Sequence, residues 1–226
     1  MNRPPTPGGD GAPHGEYARI GAADDVDLAA GLLSGLALHE TRDPERLRAW
    51  AARALEFGRE MARRAPDGEA GSGPEVVEEA TGGLAPGEVL LAEYLHRSSG
   101  DRIVVHTDAL DYAHRVARAA GWERDFPVRA VRRAALAHEE AHRMLHGRRG
   151  RALRDRLGHD LLRLGRLRLR GHVAGADEIA AHAYAHARCG LRRSPLALTA
   201  AIAATLEHQG TGPGGPGPGT PLGDRP

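Results

Sequence analysis

The chain has a single cysteine, Cys189, in 226 residues. One thiol excludes an internal disulfide framework and any Cys-based zinc site. Lysine is absent, so all 31 basic residues are Arg. With 30 Gly and 15 Pro, this bias reads as GC-rich coding and not as an Arg-specific task such as phosphate binding. Aromatic residues are scarce, at 4%, so the core must rest on Leu, Ala and Val. No apolar window of about 18 residues is available for a membrane span. The N-terminal run MNRPPTPGGDGAPHGEYARIG lacks the apolar stretch of a signal peptide, which makes the cytoplasm the expected compartment. Acids nearly balance bases, for a formal charge of +1. No global field draws nucleic acid or an anionic membrane, and neither is an expected partner.

Composition divides the chain. Residues 1–15 and 209–226 are Gly/Pro-rich and read as disordered tails. Residues 16–65 read as a helical N-terminal arm or subdomain, suited to holding a regulatory protein partner. Within it, Asp43-Pro44-Glu45 has the form of an N-cap, a first-turn Pro and a first-turn acid. Residues 66–87 read as a linker. Residues 88–208 form the main domain. It opens with two apolar, β-rich runs, EVLLAEYLHR (88–97) and RIVVHT (102–107), joined by a four-residue loop as in a hairpin. Asp108 is the expected cap of the next helix. Pro127 then opens a helix that Gly147 stops. Residues 150–170 read as an Arg/Leu helix ending in an extended piece, with Arg168–Arg170 facing solvent. Two further helices follow, at 177–190 and from Ser194-Pro195 to about Glu207.

His138-Glu139-Glu140-Ala141-His142 lies in the helix after Pro127 and fits the H-E-x-x-H pattern. With 13 His and 16 Glu in the chain, about 0.05 such matches are expected by chance. Residues four apart share a helix face, so His138 and His142 can both reach one tetrahedral zinc ion. Glu139 flanks that face, where its carboxylate can take a proton from a zinc-bound water as general base.

Zinc needs a third protein ligand and an open position. The longer H-E-x-x-H-x-x-G-x-x-H pattern is not met, because Leu145 and Arg148 stand at its last two positions. Glu178 is the best candidate, on a helix of small residues. Glu178, His182 and His186 recur every four residues and read as one polar stripe. His182 is expected to orient a ligand or bind the substrate oxyanion, and so counts with Glu139 among the catalytic candidates. His186 and Tyr184 are further candidates for that work. His172 is the reserve for the third ligand. His146 could line the helix end or support a ligand. His106, His114 and His159 read as structural.

At these residues the chain resembles the gluzincin group of metallopeptidases, and most closely the ImmA/IrrE-type metallo-endopeptidase family. The likeness runs through an "IVV" strand, an "LAHExxHxxLH" helix matched by Leu136–His146, and an "ExxAxxxA" helix matched by Glu178, Ala181 and Ala185. Glu140-Ala141 departs from the apolar residue and Gly usual there. The resemblance implies an α+β, mostly helical, zincin-like fold with a small β-hairpin or sheet. It implies one zinc ion on His138, His142 and Glu178, with Glu139 as base. It also implies hydrolysis of an intracellular protein or peptide substrate.

Two rival readings have their own residues. A zincin fold could serve as a catalytically silent binding or regulatory module. Glu139-x-x-His142 is also the E-x-x-H of di-metal helical bundles, although Glu178 and His182 are spaced by four and not three.

Overall fold

In the computed structural model, the residues described are 13–65, 73–96, 100–164 and 167–210, with 160–170 described as backbone. Residues 1–12 and 211–226 of the expected tails, 66–72 of the expected linker, residues 97–99 and the Arg168–Arg170 side chains lie outside this description; residues 14–15 and 209–210, read as tail, are helical. The fold is α+β and mostly helical.

Among the described residues three α-helices precede the first strand: α1 (His14–Ala22), α2 (Asp25–Ser34) and α3 (Pro44–Arg64). Asp43 caps α3 as expected, accepting a hydrogen bond from the Glu45 N–H at 3.2 Å. The buried side of α3 runs Leu47, Trp50, Ala51, Ala54, Leu55, Gly58, Met61 and Ala62, a continuous helical stripe. Strands β1 (Glu75–Glu79), β2 (Leu84–Ala85), β3 (Glu88–Val89), β4 (Ala92–Leu95) and β5 (Arg102–His106) follow. Then come α4 (Thr107–Ala119), α5 (Val128–Leu145), α6 (Arg148–Leu157), the hairpin β6 (Asp160–Leu164) and β7 (Leu167–Arg170), α7 (Ala176–Cys189) and α8 (Pro195–Gly210).

The main sheet has the order β1-β5-β4. β4 and β5 form the expected antiparallel pair, with Ala92 opposite Val105 and Tyr94 opposite Ile103. Its first strand is shorter than the 88–97 run. Pro86-Gly87 makes a turn, with Gly87 at φ +77°, and folds Glu88–Val89 back onto Leu84–Ala85. β1 lies in the stretch read as linker and pairs parallel to β5, Glu75 opposite Arg102. Its EVVEE sequence shows no alternation because most of its side chains stay exposed.

Two other expectations change. Asp108 does not cap α4; its carboxylate accepts from the Gly82, Gly83 and Ala109 N–H groups at 3.2, 3.3 and 2.8 Å. It serves the amides of the turn that leads back from β1. The 150–170 segment is helical only to Leu157. Gly158, at φ +68°, ends α6 in the left-handed conformation, and the Leu/Arg alternation after it forms a hairpin.

Two cores fill the molecule. One joins α2, α3, α6 and α7 with Ala137, Ala141 and Leu145 of α5. The other joins α1, α4, α8 and the sheet with Val131 and Ala135 of α5. Helix α5 thus borders both. Residues 16–65 are built into these cores. Tyr17 of α1 bonds Thr205 of α8 at 2.8 Å, and α2 and α3 bury their apolar stripes in the first core. Among the described residues no helix is long and apolar enough to cross a membrane.

Helix α7 lies between α3 and α5 and touches both closely. A Cβ on Gly58 would stand 2.1 Å from the Ala180 carbonyl oxygen and 2.9 Å from the Ala183 Cβ. Only glycine allows that approach. Gly58→Ala is expected to lower stability by about 1–3 kcal/mol through overpacking. Gly31→Ala on α2, where nothing lies within 4 Å of the new Cβ, should raise it by about 0.5–1 kcal/mol. Urea unfolding midpoints of the two variants check the pair, and equal effects would refute the close approach.

Candidate metal centre

His138, Glu139 and His142 sit on the last two turns of α5. Small residues prepare their position. Ala137 and Ala141 of α5 and Ala180, Ala181 and Ala185 of α7 are buried, so the two helices come close without bulky side chains between them. Gly175, at φ +79°, turns the chain into α7, which places Glu178 in the first turn.

Three side chains converge across that gap. His138 Nε2 and His142 Nε2 are 3.0 Å apart. Glu178 Oε2 lies 3.2 Å from His138 Nε2, and Glu178 Oε1 lies 3.0 Å from His142 Nε2. This group can hold a metal ion, and it is the one such group among the described residues. Glu178, drawn from 36 positions further along the chain, completes it as the sequence led us to expect.

The electrostatics follow from the crowding. Burial opposes the charge on Glu178, but hydrogen bonds from His138 and His142 outweigh it and hold the carboxyl well below its ordinary range. Burial likewise pulls His142 down, yet Glu178 beside it holds the imidazole above its usual 6.5. Glu139 is pushed up, chiefly by burial, against the pull of His138 and His142. Its carboxylate Oε2 accepts a hydrogen bond from the Tyr94 N–H at 3.0 Å.

That bond ties the helix to the sheet edge. His106 N–H donates to Leu91 O at 3.0 Å, so with the β4–β5 register the backbone groups of Ala92 and Tyr94 point away from β5. They face the cleft above α5. The sequence held no sign of the Tyr94 contact, since a main-chain donor carries no residue signature.

His182 stands beside His138, with ring centroids 4.5 Å apart, outside the three-ligand group. Burial, then the nearby His138, push it down to about 3, so it is a neutral imidazole at ordinary pH. Its Nδ1 is buried without a hydrogen-bond partner among the described residues, and the ring lines the cleft.

The rest of the stripe leaves the site. A helix turns about 100° per residue, so a residue eight further on has rotated about 80°. His186 accordingly donates from Nε2 to Leu191 O at 3.0 Å and closes the end of α7, with Nδ1 3.8 Å from Asp25. Tyr184 is fully buried; burial, then Glu140, push its phenol up to about 12. His172 is exposed and outside the group. His146 is exposed at the cleft mouth, 6.2 Å from the Tyr94 ring. His106 is buried beside Glu93, His114 Nδ1 bonds Phe126 O at 3.0 Å, and His159 packs edge-on to Trp50.

The cleft encloses about 500 Å³. Beyond the ligands it is walled by the 89–94 segment, Phe126, the start of α5 and one face of α8. The contribution of α8 had no signal in the sequence, because that helix is apolar nearly all round.

A cation on this group must displace a proton from His142 wherever that imidazole is charged. Its raised pKa means it is charged at slightly acid pH, so metal affinity should fall as pH drops from 7.5 to 6. Glu178 stays ionised and needs no deprotonation. Calorimetric titration with a divalent ion at pH 6, in buffers of different ionisation enthalpy, should show proton release on binding. No release would contradict the assigned charge on His142.

No family model, no curated protein and no solved structure matches this chain, so the functional reading rests on the geometry of the site.

Proposed function

We propose that the chain is a zinc-dependent metallopeptidase of the gluzincin kind, with a zincin-like domain resembling the ImmA/IrrE-type family. The observation that carries this reading is the convergence of His138, His142 and Glu178 with Glu139 one residue away, in a cleft bounded by a sheet edge. Two imidazole nitrogens and a carboxylate are one of the donor sets of catalytic zinc sites. Ligand bonds of about 2.0–2.2 Å set tetrahedral neighbours about 3.3–3.6 Å apart. The 3.0–3.2 Å separations fall a few tenths of an ångström short of that range. When bound, zinc supplies a Lewis acid for the scissile carbonyl and lowers the pKa of water toward about 7.

The chain's own groups do the rest. The peptide lies along β4 as an added strand, using the outward N–H and C=O of Ala92 and the C=O of Tyr94. Glu139 takes the proton of the attacking water and passes it to the leaving amine nitrogen. Its raised pKa suits a group that must both accept and return a proton. The Tyr94 N–H holds the carboxylate toward the cleft before substrate arrives. His182, neutral and beside His138, orients that ligand or stabilises the oxyanion. A di-metal centre needs a second cluster of carboxylates, and the described residues form one group with one carboxylate.

Glu139→Gln separates a peptidase from a silent binding module. The variant should keep one equivalent of zinc and lose about 10²–10⁴-fold in peptide cleavage. Glu178→Ala should lose most of the zinc itself, read by elemental analysis after dialysis. A wild type that binds no zinc when supplied with it, or cleaves no peptide while zinc-loaded, would overturn the peptidase reading.

A further inference from the structure

Helix α6 is not built for its own stability. Its ten residues, RRGRALRDRL, hold five arginines and one acid, Asp155. Gly147 gives it no side-chain cap, and its first turn carries Arg148, Arg149 and Arg151 with no acid among them. Cations at that end oppose the helix macrodipole. Arg148, Arg151 and Arg154 also follow at a step of three, where neighbouring like charges repel. Many arginines elsewhere have a carboxylate partner, as Arg59 has Asp25 and Arg132 has Glu78. On α6, Arg156 is held by Glu56 and Glu60 of α3. Arg148, Arg149, Arg151 and Arg154 have no ion-pair partner among the described residues.

The helix is nonetheless fixed in place. Leu153 and Leu157 are buried in the first core, and Arg53 of α3 donates to the Leu157 carbonyl at 2.9 Å. A Cβ on Gly150 would stand 2.1 Å from the Leu145 carbonyl oxygen, so α6 packs against the end of α5. His146, at the mouth of the cleft, comes two residues before Arg148. The end of β4 reaches the same mouth, with the Tyr94 ring 6.2 Å from His146. Four arginines are thus anchored beside the way out of the cleft, Arg148 and Arg151 exposed, Arg149 and Arg154 half-buried.

We infer that this face of α6 docks an acidic segment of the substrate polypeptide, outside the cleft and a few residues from the bond that is cut. That the segment belongs to the substrate rests on the peptidase reading; the acid-binding surface does not. The first support is charge, since guanidinium forks match carboxylates and these four have none. The second is contrast. Glu93, Glu139 and Glu178 line the cleft, and among the described residues no Arg does. Acidic side chains are repelled from the cleft and drawn to α6, which fixes how the substrate chain lies. The third is reach. Arg148 is six residues beyond His142, four of them helical, which puts its Cα about 14 Å away at most. An extended peptide at about 3.3 Å per residue crosses that in about four residues. Nucleic acid fits less well. The α6 face is only about 15 Å long, and the cleft glutamates beside it repel a phosphate backbone.

The test uses the full chain and fluorescence anisotropy with labelled octaglutamate, a neutral peptide of equal length and a short DNA duplex. Octaglutamate should bind most tightly, and less so as salt rises. Replacing Arg148, Arg151 and Arg154 together by Gln should weaken it by about 10-fold, the sum of three exposed pairs of ordinary strength. Zinc content should be kept, and Tm should not fall, because the charges removed oppose the helix dipole. With peptides that the zinc-loaded chain cuts, the same variant should raise KM and leave kcat in place for those with acids about four to eight residues from the cut, and change neither for those without. Octaglutamate binding no better than the neutral peptide, or unchanged in the triple variant, would overturn the inference. So would tighter binding of the duplex, or a large fall in Tm that assigns the arginines to the fold. If the variant fails to fold, wild-type affinity for octaglutamate that ignores salt overturns it equally. A zinc-loaded chain that binds octaglutamate through α6 but cuts no peptide would overturn the peptidase reading and the assignment of the segment to a substrate, and would support the acid-binding surface alone.

Discussion

Everything at the site depends on how closely α7 can lie between α3 and α5. Gly58 on one side and a row of alanines on the other remove the side chains that would hold the helices apart. Ordinary helix pairs are spaced at 8–10 Å by the residues at the contact, and small residues set the lower end. Here that closeness lets a carboxylate on α7 meet two imidazoles on α5. A larger residue at Gly58 would act far from the ligands, yet it would move the helix that carries Glu178 and His182.

The same closeness sets the charges. Burial alone would neutralise every ionisable group in the cluster. Glu178 resists because two imidazoles hydrogen-bond its charged form, and His142 is held toward its charged form for the reciprocal reason. Glu139 has only one main-chain donor and a like charge nearby, and it moves the other way. Two glutamates in one cleft thus acquire opposite tendencies, one a permanent anion and one a group able to exchange a proton. That division of labour matches a ligand and a base.

Helix α5 also joins two cores, and the cleft opens where they meet. Its C-terminal half, packed on α7, carries the polar groups. Its N-terminal half, packed near α8 and the sheet, contributes Val131, Ala134 and Ala135. The polar and apolar ends of the cleft are therefore consequences of one helix passing between two packing environments. The Asp108 carboxylate, which binds the amides of the 82–83 turn, helps fix the sheet on which β4 is the edge.

By itself the sequence determined what local periodicity and spacing control. The i, i+4 pair of His138 and His142, the flanking Glu139, the cap at Asp43, the β4–β5 pairing and the helical span of α7 could all be read from neighbours in the chain. Glu178 was legible too, because with His182 it begins a polar stripe on an alanine-rich helix that packing does not explain. Tertiary structure decided the rest. Whether His182 or His186 faced the site depended on a rotation that spacing by four conceals over two turns. Tyr184 went into the core because six residues turn it to the far face. β1 and the Tyr94 N–H are invisible locally, since strand pairing between distant segments and main-chain donors leave no residue pattern. The walls of the cleft, above all Leu198 and Ile202, exist only because α8, packed on α1, α2, α4 and α7, lines the same cleft as α5. Contacts between elements remote in sequence are set by the summed burial of both cores, and no single segment records that sum.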